Sequence, residues 1–95
     1  MVAVREINDS FVIDFSDLED YDDFDVLVEK LKEKFDVKIR EKLDGPESRV
    51  WKLQMDGFIL SLHNNPYGNY LKASSPEAIS FLKSTIEQIS VIFIK

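Results

Sequence analysis

The sequence contains no cysteine and a single histidine, His63. Without thiols there is no disulfide scaffold, no cysteine nucleophile and no cysteine-ligated metal. One imidazole, with no second ligand at helical or hairpin spacing, gives neither a metal site nor an acid–base pair. Glycine and proline are scarce, three of each in 95 residues, so no flexible linker divides the chain. The longest apolar runs, such as 91–94, have four residues, far below the roughly 18 that span a bilayer. The first residues lack the apolar stretch of a secretory signal. No phosphate loop, serine elbow or dinucleotide fingerprint occurs. These absences point to one cytoplasmic domain that is not an enzyme and carries no metal or cofactor.

What is present suffices for a core: 44% of residues are hydrophobic and 12% aromatic. Eighteen acids against 12 bases leave a net charge of −6, and the sequence pI is about 4.7. The imbalance is local. Residues 1–36 hold 12 acids and 4 bases, whereas 37–95 hold 6 acids and 8 bases. Between Asp14 and Asp25 stand seven acids and no base.

The first fifteen residues read as a β-hairpin turning at Asn8-Asp9. Ser16 and Glu19 have capping-box spacing. Phe24, Leu27, Val28, Leu31 and Phe35 form one helical stripe, which predicts a helix over 23–35. Asp22 or Asp23 should cap its free amides, with Lys30, Lys32 and Lys34 near its C-terminus. The period then changes to two: Val37, Ile39 and Leu43 alternate with Lys38, Arg40 and Lys42. Asp56-Gly57 is a strong two-residue hairpin signal. It pairs Met55 with Phe58, Leu53 with Leu60 and Trp51 with Leu62, all apolar and all on one face. Lys52 and His63 then face away. Residues 64–70 read as a turn-rich loop before a short strand. Ser74-x-x-Glu77 with Pro76 predicts a second capped helix over about 76–90, burying Ile79, Leu82, Ile86 and Ile89. The β-branched and aromatic run 91–94 fits a final strand or a continued helix, with strand the favoured reading. The fold expected is α+β: a mostly antiparallel sheet of five to six strands with two helices packed on one face.

The acidic run fails the calcium-loop pattern, since Phe24 and Asp25 stand fifth and sixth from Asp20. It reads instead as a docking surface for a basic partner, formed by Asp17, Asp20, Asp22, Asp23 and Asp25 with Tyr21 as an aromatic anchor. A solvated loop with a helix cap is the plainer reading. Tyr67, in the asparagine-rich loop, is a second candidate contact. Lys38, Arg40, Lys42 and Lys52 could form a nucleic-acid face, but no aromatic falls there for stacking and the net charge opposes it. Neither nucleic acid nor membrane is expected as a partner.

In size, charge and the 14–25 run with its interleaved Phe15, Tyr21 and Phe24, the chain resembles small acidic bacterial immunity and antitoxin proteins. The resemblance is one of general character. It implies neutralisation of a basic toxin, such as a nuclease, by direct binding, as a monomer or weak dimer. Two rival readings are an acidic adaptor or secretion-chaperone-like module, which would dimerise, and a small enzyme using His63 with the basic row.

Overall fold

A computed structural model describes residues 2–15, 18 and 20–92. Six strands form one antiparallel sheet in the order β1-β2-β6-β5-β4-β3. They are β1 (Val2–Ile7), β2 (Ser10–Phe15), β3 (Val37–Asp44), β4 (Arg49–Met55), β5 (Phe58–Asn65) and β6 (Gly68–Ala73). Helix α1 (Asp23–Lys34) joins β2 to β3, and α2 (Pro76–Ile92) follows β6. The class is α+β, as the alternation of periods predicts.

Asp56 (φ 48°) and Gly57 (φ 91°) adopt the left-handed angles of a tight hairpin turn. The register is the predicted one: Met55 opposes Phe58, Leu53 opposes Leu60 and Trp51 opposes Leu62. All of these but Phe58, which is partly buried and packs against them, join Phe11, Ile13, Phe15 and Leu71, together with Phe24, Leu27, Leu31, Phe81, Leu82 and Ile89 of the helices, in one buried cluster. Edge-to-face contacts link Phe24 to Trp51 at 5.0 Å and Phe35 to Phe81 at 5.9 Å; Phe58 stacks on Phe81 at 4.7 Å.

Several expectations are corrected. Residues 91 and 92 continue α2, and 93 and 94 lie outside the described residues. Val91 lies off the buried stripe and is exposed, and an already nucleated helix propagates through its β-branched residues. Ser75, not Ser74, caps α2, accepting a bond from the Ala78 N–H at 3.2 Å; the Ser74 hydroxyl shares a bond with Ser10 at 3.1 Å. At α1, Asp22 makes no side-chain cap bond, while Asp23 accepts from the Asp20 N–H outside the helix. Most of 64–70 is strand, broken only by the two-residue turn Pro66-Tyr67. The Ser16–Glu19 capping box lies outside the described residues.

Strand β3 is irregular. Its pairing shifts between Ile39 and Glu41, so one extra residue reverses the alternation. Lys38 therefore shares a face with Glu41 and Leu43, whereas Lys42 lies opposite Trp51, with Nζ 4.4 Å from the indole centroid. The expected row of Lys38, Arg40 and Lys42 on one face does not form. Leu43 leaves the core and is 66% exposed.

Trp51 is 5% exposed and touches both the core and the charged end described below. Trp51→Ala is expected to cost about 3–5 kcal/mol in urea denaturation; unchanged stability would contradict this packing.

Candidate functional site

The alternation that builds the core breaks down at one end of the sheet. Strand pairing aligns Asp44, Arg49, Asn64, Asn69 and Phe15 in a row one step beyond Trp51, Leu62 and Leu71, on the same face. Apolar residues would continue the core there. Instead Arg49, Asn64 and Asn69 are buried at 6%, 4% and 2% exposure, and buried polar groups need partners.

The segment before α1 supplies them. The Asn69 side-chain amide donates to the carbonyls of Leu18 at 2.7 Å and Asp20 at 3.1 Å, while Asn64 donates to Asn69 Oδ1 at 2.7 Å. Arg49 donates two parallel bonds to the Asp25 carboxylate at 3.0 and 3.1 Å, one from Nε to Asp44 at 2.9 Å and one to the Tyr21 carbonyl at 3.3 Å. Its guanidinium carbon lies 4.4 Å from the Phe24 ring centroid and 4.9 Å from those of Tyr21 and Trp51. Asp44 also accepts from the Trp51 indole at 2.8 Å, and the Tyr21 hydroxyl donates to the Gly45 carbonyl at 3.2 Å.

Electrostatics follow from these contacts. Burial would lower the Arg49 pKa, but the Asp25 and Asp44 bonds outweigh it and raise it. Bonds from Trp51 and then Arg49 hold the Asp44 carboxyl below its ordinary range.

Of the residues expected to dock a partner, Asp20, Tyr21, Asp22, Asp23 and Asp25 meet at this end, and Tyr67 stands on the hairpin tip two residues from Asn69. Asp17 lies outside the described residues. The carboxylates are not equivalent. Asp25 is committed to Arg49 and Asp23 to the Asp20 amide, which leaves Asp20 and Asp22 as exposed charges. Asp14 belongs elsewhere, paired with Arg5 across the β1–β2 hairpin at 2.9 Å. Tyr67 is 93% exposed and Tyr21 39%.

A profile for a family described as a protein of unknown function, DUF3630, matches residues 5–85. The chain belongs to this family. No curated protein matches it, and no solved structure does.

Arg49 was not singled out from the sequence, although the hairpin register places it on the core face two residues before Trp51. Two further expectations concern the sheet's second face. His63 is half-buried there, stacked on Tyr70 at 4.7 Å and 3°, with Nε2 2.8 Å from the Ser61 hydroxyl. Aromatics therefore do fall on that face. Among the described residues no group of three His, Asp or Glu side chains could hold a metal ion, and no helix is long and apolar enough to cross a membrane.

Burial, then the nearby Lys72 charge, lowers the His63 pKa below 6.5. The unfolded chain takes up this proton near pH 6.5 while the folded chain does not, so His63 removes stability as pH falls through that window. Urea denaturation on either side of pH 6.5 should show a smaller loss on acidification in His63→Gln than in the parent. An identical loss would mean that this ring is not shielded.

Proposed function

We propose that this chain is a protein-binding domain whose acidic end docks a basic partner. The observation that carries the reading is the tethering of the acidic segment to the buried Arg49–Asn69 row. Acids free in solution would repel one another and disperse. Here backbone carbonyls of the segment are fixed by Asn69 and Arg49, so Asp20 and Asp22 are presented beside an ordered Tyr21 and the exposed Tyr67. Charges of one sign steer encounter, and rigid aromatics supply contact at small entropic cost.

In this reading both helices cover one face of the sheet and frame the docking end. Neutralisation of a basic toxin by an immunity or antitoxin protein is the form of binding that the chain's size and charge suit best. An adaptor-like role would use the same surface.

The test separates charge from hydrogen bonding. Asparagine keeps an acceptor oxygen, so replacing Asp20, Asp22 and Asp23 together by asparagine leaves the Asp23 bond available. Against a partner recovered by affinity capture, the triple variant should associate more slowly at low salt and show a flatter salt dependence, with melting unchanged. Tyr67→Ala should chiefly speed dissociation. An unchanged association rate at low salt would reject the acidic end as the docking surface.

A further inference from the structure

The second face of the sheet carries the opposite charge. Arg5, Lys38, Lys52 and Lys72 stand on it by strand register, and Arg40 reaches it from the bulge through bonds to Gln54, one of 2.7 Å. Among the described residues, Asp14 and Glu41 are the acids that oppose these five bases on that face.

One row crosses its centre. Ser61 on β5 directly opposes Lys52 on β4 and Lys72 on β6. Opposed Cβ atoms of antiparallel strands lie about 4.5–5.5 Å apart, so two flexible ammonium stems can close over a ligand at Ser61. A depression of about 350 Å³ opens at this point, lined by Lys52, Ile59, Ser61, Lys72, Ser74 and Ser75. Lys52 is held only loosely by Glu41, at 3.7 Å, and Lys72 makes no ion pair among the described residues.

We propose that the Lys52–Ser61–Lys72 row binds the phosphate monoester of a small molecule. Lysines act as point charges, which suits a compact tetrahedral dianion better than a planar carboxylate. The Ser75 hydroxyl accepts from the Ala78 amide and so keeps its own proton to donate. Ile59, 48% exposed, offers an apolar contact for the carbon skeleton. The rings do not favour a nucleic acid here. Tyr70 has one face against His63 and lies 5.7 Å from the Arg5 guanidinium, so the pair offers no open platform for a base.

Titration of the isotopically labelled full chain with glycerol phosphate, at ionic strength held constant with sodium chloride, tests this by amide chemical shifts. Saturable shifts should centre on Lys52, Ser61, Lys72, Ser74 and Ser75. Lys52→Gln and Lys72→Gln, both surface changes with melting as a check on folding, should each weaken binding about tenfold, the worth of one charge-assisted hydrogen bond. Shifts reproduced by chloride alone, or a double variant that titrates like the parent, would overturn the proposal. So would tighter binding of oligouridylate spreading to Lys38 and Arg40, which would make the face a nucleic-acid surface. Sedimentation with phosphatidylcholine vesicles containing phosphatidic acid, without any response to glycerol phosphate, would overturn it in favour of a membrane surface.

Discussion

A guanidinium placed at the end of a hydrophobic core must be neutralised and hydrogen-bonded, because an unpaired buried charge costs several kcal/mol. Arg49 meets this requirement by drawing on three parts of the chain. Asp25 comes from the first turn of α1, Asp44 from the end of β3, and the Tyr21 carbonyl from the segment between β2 and α1. The aromatic rings around it add cation–π attraction to the same geometry. With Asn69 holding the carbonyls of Leu18 and Asp20, the acidic segment becomes part of the fold.

This arrangement divides the surface by charge. The end above Arg49 exposes acids and tyrosines, and the second sheet face exposes lysines and arginines around a stacked His63–Tyr70 pair. A net charge of −6 conceals that separation. The acidic end and the Lys52–Ser61–Lys72 row are separated by the sheet itself: Asn64 belongs to the buried polar row on the core face, whereas Ser61, three residues earlier, lines the basic depression on the second face.

The parts of the fold legible in the sequence are those set by short-range chemistry. Asp56-Gly57 fixes a turn, the turn fixes the register, and the register sends Trp51, Leu53 and Met55 to the core. The α1 stripe is equally local. The bulge at Arg40 was not legible, because Val37, Ile39 and Leu43 all stand at odd positions and fit a regular strand, whereas the inserted residue turns Leu43 outward and Lys42 inward. The β-branched residues at 91 and 92 left strand and helix open for the opposite reason: their local preference favours a strand, and it yields to an established helix. At the candidate site, the sequence shows the acids and tyrosines as a cluster but not the unequal contacts that the fold gives them. Charge density marks a segment as acidic, and only the strand register reveals that Arg49 will claim Asp25 and Asn69 will claim the backbone.

The dependence of this end on Arg49 can be measured without any partner, by comparing Arg49→Ala and Arg49→Lys with the parent in urea denaturation and amide hydrogen exchange. Asp25 and Asp44 keep side-chain exposures of 62% and 43% and can return to water, so the loss in Arg49→Ala should be about 2–4 kcal/mol, toward the lower part of the range for a broken buried pair. Lysine should not restore it, since one ammonium cannot make the forked bonds to Asp25 and Asp44. Exchange should quicken most at Asp23 and Phe24, whose amides bond the carbonyls of Asp20 and Tyr21. Full stability in Arg49→Ala, or unchanged protection of those two amides, would contradict the account.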